Sequence, residues 1–266
     1  MVNGLTLNLF DFQEKAVLNL LDISTDSNSK QTVVMKAPTG AGKTIILIGY
    51  VDEYLNNVNS NTAVIWLCPG KGDLEEQSRQ KTISVAPHRK TQNLFDALQN
   101  GFEPESTTFI NWELVTKRGN TAIKDSERKN LFDRIADAHR KNIDFIVIID
   151  EEHSNNTART KTIIDAFAAK HIIRVSATAI KNNRYEYFEI DELDVIDEGL
   201  ITKALYVNEG VEDNIEISND YDYLLELADK KKQSRRDIQK YFLPEKSCDR
   251  LCLSNFRTDS RKLSKR

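Results

Sequence analysis

The sequence predicts a three-layer α/β fold, with helices on both faces of a mostly parallel central sheet. Short, near-continuous apolar runs recur along the chain, and each leads into a stretch with helical spacing. Strands buried on both faces give such runs, because neither face meets water, and parallel strands need crossovers long enough to hold a helix. Composition agrees: 266 residues, 39% hydrophobic and 29% charged, suffice for a buried core without disulfides or metals.

The elements follow in order. Residues 22–30, rich in Ser, Asp and Asn, form a loop. Residues 32–36 (TVVMK) are a β-branched buried strand, followed by a glycine-containing loop and a helix from 43 to about 56. Residues 63–67 (AVIWL) are the next strand, 69–73 a polar turn, and a helix starts at Leu74. A third strand covers 107–110. A polar helical stretch, 126–141, leads into 145–149 (FIVII), the most apolar run in the chain. Residues 160–169 are helical and 172–175 form a strand. Beyond about Asn183 the order weakens: 185–190 and 204–207 read as peripheral strands, 215–222 as an acidic linker and 223–241 as a helix. The expected division is a main domain over 1–209 and an appendage over 210–266.

The net charge of −4 conceals an asymmetry. Residues 184–222 carry thirteen acidic and two basic side chains, whereas 229–266 carry thirteen basic and five acidic ones. A basic end suits nucleic acid, and equally a solvated charge run. No apolar run reaches the ~18 to 20 residues of a membrane span. The start lacks a secretion signal, and three scattered cysteines fit a reducing compartment, so the expectation is a cytoplasmic protein without membrane partners. Cys248 and Cys252 lack a second ligand pair for zinc, and His88, His139 and His171 have no metal-like spacing. Trp66 is expected in the core, as is Trp112, for which a place near a nucleic-acid groove is the alternative.

Residues 37–44 read APTGAGKT, between a strand and a helix. Gly40 and Gly42 can take positive φ and let the backbone approach a phosphate. Amides of residues 40–44, including Ala41, would then surround one anion at a helix N-terminus. Lys43 would reach the β- and γ-phosphates and Thr44 would hold Mg²⁺, with Thr39 also in the loop. Glycine-rich turns also precede helices without binding anything; the Lys-Thr pair favours a nucleotide. The apolar run 145–149 ends at Asp150-Glu151-Glu152-His153, where open α/β sheets place ligands. Asp150 is the candidate Mg²⁺ partner and Glu151 the candidate base or orienter for an attacking water. An acidic strand end alone would equally suit a helix N-cap.

Together these segments resemble a superfamily-two helicase of the DEAD/DEAH-box type. APTGAGKT is similar to motif I, with Ala37 where the strict pattern has Gly. DEEH is similar to motif II, with Glu152 where the family often has Ala. Ser176-Ala177-Thr178 resembles motif III, Pro69 with Gln77 motif Ia, and Phe12-Gln13, placed before the first helix, a Q-type motif. Residues 109–113 (FINWE) and 198–201 (EGLI) are most similar to the restriction (Res) subunit of type III restriction-modification enzymes. The resemblance spans roughly residues 5 to 207.

It implies a RecA-like first helicase lobe that uses ATP and Mg²⁺. It also implies that Gln13 reads the adenine edge and that His153, Ser176 and Thr178 couple the γ-phosphate state to a neighbouring lobe. Taken without the resemblance, Gln13 also reads as a surface helix residue, and Ser176 and Thr178 as a helix cap or turn closure. DNA, a second lobe and a modification methyltransferase subunit are the implied partners. No second arginine motif or nuclease signature is evident, so the chain reads as one lobe, with 210–266 the possible opening of another. Two further readings stay open: a nucleotide-binding module without turnover, and an RNA helicase fragment.

Overall fold

The structure, a computed structural model, describes residues 4–69, 73–116, 130–150 and 158–201. The chain divides into two compact units, Met1–Leu205 and Tyr206–Arg266. The second lies outside the described residues, as do the sequence-expected strand at 204–207, linker, helix and domain boundary at 209/210.

Among the described residues, seven strands form one sheet in the order β3-β4-β2-β5-β6-β1-β7. They are β1 (Thr32–Lys36), β2 (Thr62–Cys68), β3 (Lys90–Asn93), β4 (Ser106–Asn111), β5 (Asp144–Asp150), β6 (His171–Ser176) and β7 (Glu186–Glu189). Every described pairing is parallel. All the strands therefore end on one edge of the sheet.

Two core clusters show why the strands are apolar throughout. Val64, Trp66 and Cys68 of β2 enter one cluster, and Ala63, Ile65 and Leu67 enter the other. In β5, Ile146 and Ile148 join the first, while Phe145, Val147 and Ile149 join the second. Side chains alternate across a pleated strand, so a run buried on both faces needs an apolar residue at every position.

The first cluster is covered by α1 (Asp11–Thr25), α2 (Lys43–Asn57), α3 (Leu74–Val85) and Val195 of α8 (Glu192–Asp197). The second is covered by α4 (Leu94–Asn100), α5 (Trp112–Thr116), α6 (Leu131–Arg140) and α7 (Ala158–Phe167). These are the three expected layers. Trp66 and Trp112 are both buried, and the Trp66 ring stacks on Phe109 at 5.3 Å.

Local signals set the helix ends. Asn130 accepts from Asp133 N and Asp133 returns the bond to Asn130 N, each at 3.0 Å, so α6 begins at a reciprocal cap. Leu131, Ile135 and Ala138 then form its buried stripe. The expected helical stretch at 126–141 thus holds from 131, and 117–129 fall outside the described residues.

Phe12 and Gln13, expected before the first helix, lie inside the first turn of α1. The reason is local: Gln13 Oε1 accepts the amide of Phe10, the residue that precedes the helix, at 3.2 Å. β3, α4 and α8 were not anticipated. β3 is a polar edge strand (KTQN), and α8 buries only Val195, so neither carries an apolar pattern. Among the described residues no helix is long and apolar enough to cross a membrane.

Candidate active site

The loop at 37–44 leaves the end of β1 and opens α2. Its shape depends on two residues with positive φ, Gly40 at +94° and Gly42 at +76°. Gly42 is the left-handed residue that precedes α2; its carbonyl accepts from Ile45 N at 2.8 Å and Ile46 N at 3.1 Å. The first amides of a helix have no acceptor within it, and α2 has no acidic residue in its first turn. That end therefore presents positive potential where an anion would sit. Lys43 and Thr44 are its first two residues, both half-buried.

Crowding gives both glycines a second role. A Cβ at Gly42 would lie 2.5 Å from Gln13 Nε2, and one at Gly40 would lie 2.6 Å from Ile201 Cγ2. Gln13 is buried and donates from Nε2 to Ala41 O at 3.0 Å. The loop is thus backed by a side chain from α1 and another from the segment after α8. Thr39 is exposed at its tip.

The strand register brings the other candidates to the same edge. Lys36 pairs with Ser176, and Ala37 N donates to Ser176 O at 3.2 Å. Asp150 pairs with Val175 on the other side of β6. One strand therefore separates Asp150 from the loop strand, two steps of about 4.8 Å each between backbones. Thr44 and Asp150 offer a hydroxyl and a carboxylate, both hard oxygen ligands, so the donor set fits Mg²⁺.

Electrostatics at this edge reach the neighbouring strand. Burial pushes the Cys68 thiol well above its usual range, and the Asp150 charge pushes it further. Cys68, at the end of β2, is an inert core thiol. Ser176 is buried, and its Oγ accepts Thr178 N at 3.1 Å, closing a two-residue turn. The hydroxyls of Ser176 and Thr178 are 3.3 Å apart. Glu151, Glu152 and His153 lie outside the described residues. The contact of Ile201 with the loop was not anticipated; Gly199 two residues earlier, a common end for a helix, was the available signal.

Comparison with solved structures gives the fold. A nuclease-deletion mutant of the Type ISP restriction-modification enzyme LlaGI, solved with a DNA substrate mimic, is 14% identical with a TM-score of 0.52, over 72% of this chain and 18% of that one. A Sulfolobus solfataricus SWI2/SNF2 ATPase core solved with double-stranded DNA is 15% identical, TM-score 0.49, over 69% of this chain and 35% of that one. The UvsW helicase of bacteriophage T4 is 16% identical, TM-score 0.45, over 69% and 60%. The chain therefore spans between 18% and 60% of the length of these proteins. The likeness to LlaGI shows the RecA-like α/β fold expected from the sequence. A comparison with curated proteins gave no match. Residues 6–181 match the family described as "Type III restriction enzyme, res subunit". This match covers the phosphate loop, the acidic strand end and the Ser176–Thr178 turn, and the chain belongs to that family of type III restriction enzyme Res subunits.

Proposed function

We propose that this chain is the ATP-binding and ATP-hydrolysing motor lobe of a DNA helicase or translocase, the restriction subunit of a type III restriction-modification system. The observation that carries the reading is the β1–loop–α2 unit. Its two positive-φ glycines and helix N-terminus share one sheet edge with Asp150 and Ser176.

In this reading the amides of residues 40–44 hold the phosphates, and the Lys43 ammonium neutralises the β- and γ-oxygens. Mg²⁺, when bound, offsets charge on those oxygens. Thr44 and Asp150 are its protein partners. Gln13 reads the adenine edge. Glu151 orients the attacking water, and His153, Ser176 and Thr178 transmit the γ-phosphate state. DNA is held through its backbone, and a second lobe and a methyltransferase subunit are the protein partners.

Charge developing on the γ-phosphoryl group requires a cation, and an arginine finger contributes about 10³ to 10⁵ in rate. Arg174 and Arg184 flank the Ser176–Thr178 turn outside any finger motif, so the cation comes from a second lobe. Residues 1–266 alone hydrolyse ATP below about one turnover per minute. Adding the second lobe raises the rate, and Glu151→Gln removes that gain while ATP binding remains.

The deciding experiment is nucleotide binding. Mg²⁺-ATP or ADP at about 100 times its Kd stabilises a protein by about 2.7 kcal/mol, raising the thermal midpoint. Lys43→Ala abolishes the rise. A wild-type protein indifferent to millimolar nucleotide overturns the reading. Binding with no turnover, even with a second lobe supplied, would instead mark a nucleotide-binding module.

A further inference from the structure

We infer that Ile201 is a positioning residue for the phosphate loop, coupling nucleotide occupancy to the path of the chain after α8. The inference rests on the nucleotide-site reading above.

The geometry begins with α8. Asp191 caps it by accepting from Leu193 N at 2.9 Å, and Val195 anchors it in the core cluster shared with α1 and α2. The helix ends in a Schellman arrangement: Gly199 N donates to Ile196 O at 2.8 Å, Leu200 N donates to Val195 O at 3.2 Å, and Gly199 has φ +72°. This turn reverses the chain and delivers residues 200 and 201 onto the phosphate loop from a fixed direction. Ile201 packs against the same core cluster. Its Cγ2 comes within 2.6 Å of the position a Cβ would take on Gly40, and Leu200 O lies 3.7 Å from that position.

Gly40 sets the direction of the amides that follow it. With its φ at +94° it has backbone freedom that other residues lack, and that freedom must be restricted for the loop amides to converge on one phosphate. Ile201 supplies the restriction on the Gly40 flank, as Gln13 does on the Gly42 flank. The two clamps differ in origin. Gln13 belongs to a core helix, whereas Ile201 follows α8, the last helix among the described residues, on chain that the Gly199 turn aims at the loop. Linkage makes the effect reciprocal: if Ile201 favours the binding form of the loop, bound nucleotide holds Ile201 in place by the same factor.

The test uses the full 266-residue chain, Mg²⁺ and a fluorescent ATP analogue. Ile201→Ala weakens binding by roughly fivefold to tenfold, the lower range of measured couplings between sites. Ile201→Val, which keeps the β-branch and Cγ2, restores most of the loss. In the same protein, Mg²⁺-ATP slows amide hydrogen exchange at Gly199, Leu200 and Ile201, and Lys43→Ala abolishes the slowing. A merely structural role would lower the thermal midpoint of Ile201→Ala without nucleotide and leave the affinity of the folded fraction unchanged. Unaltered affinity in both variants, or wild-type exchange at 199–201 unaffected by saturating nucleotide, overturns the inference while leaving the nucleotide site standing. Failure of the wild type to bind nucleotide overturns both. Should Ile201→Ala fail to fold, the nucleotide-dependent exchange at 199–201 in the wild type and its loss in Lys43→Ala still decide.

Discussion

The Gln13 side chain donates from Nε2 to the carbonyl of Ala41 at 3.0 Å, tying α1 to the middle of the phosphate loop. The same amide group accepts from Phe10 N at 3.2 Å, so one side chain starts a helix and steadies a loop 28 positions away. The residue is 4% exposed, and loss of a buried donor leaves the Ala41 carbonyl without that bond.

Gln13→Glu keeps an acceptor for Phe10 N but sets a carboxylate oxygen against Ala41 O. Mg²⁺-ATP binding should weaken by about 1–3 kcal/mol, the cost of a lost buried hydrogen bond. Gln13→Ala separates the latch from base reading. A fall for ATP alone marks the amide as the adenine reader, and equal falls for ATP and GTP restrict it to holding the loop. Titration with both nucleotides gives the ratio, and unchanged affinity in both variants would remove Gln13 from the site.

Asp52 of α2 is fully buried and serves as an electrostatic anchor. It accepts from Arg89 Nε at 2.5 Å and bonds His88 Nε2 at 2.6 Å, joining α2 to the turn before β3. Arg89 also donates to Asp52 O and to the Asn56 side chain. Removing one partner of a buried ion pair strands the other charge, at about 3–5 kcal/mol. Asp52→Ala should lower the denaturant midpoint accordingly; a loss under about 1 kcal/mol would place the cluster among the weak surface pairs.

His171, at the start of β6, predicts a pH dependence. Burial holds its pKa below the ordinary 6.5, and the neighbouring Lys170 charge lowers it further. Its ring meets Tyr54 edge-on at 6.0 Å. The unfolded chain therefore binds a proton on His171 at a higher pH than the folded one. Its contribution to stability is present above pH 6.5 and is lost as pH falls through the folded value. Denaturation curves between pH 5 and 8 should show a shallower loss on acidification in His171→Gln than in wild type. Parallel profiles would contradict the assignment.

DNA binding by this chain should be weak and salt-dependent. Each neutralised phosphate contributes about −0.9 to the slope of log K against log salt, and one lobe touches few, so a slope shallower than about −5 is expected. Deleting residues 229–266, with their thirteen basic side chains, should reduce both affinity and slope. Equal binding by the shortened chain would assign that tail to solvation.

The sequence carried the layered core and the phosphate loop for one physical reason: both are written in contiguous residues. A strand buried on two faces must be apolar at each position, as 145–149 is, and a phosphate loop needs glycines, lysine and threonine in fixed succession. The polar edge strand 90–93 and the acidic α8 had no such signature, because neighbours already in place stabilise them rather than any pattern of their own. Phe12 and Gln13 looked like residues ahead of a helix, since only the reach of Gln13 back to Phe10 N puts the helix start before them.

By itself, then, the sequence determined the glycine-lysine-threonine loop at the end of β1 and the apolar strands that carry it. Tertiary structure decided which distant residues hold that chemistry in shape. Hydrogen bonding of Gln13 to Ala41, the register that sets Asp150 and Lys36 on either side of β6, and the placement of Ile201 against Gly40 are contacts between segments far apart in the chain. No local spacing encodes them. They arise because parallel strands must return to the same edge through crossovers, and close packing leaves each glycine of the loop a fixed neighbour.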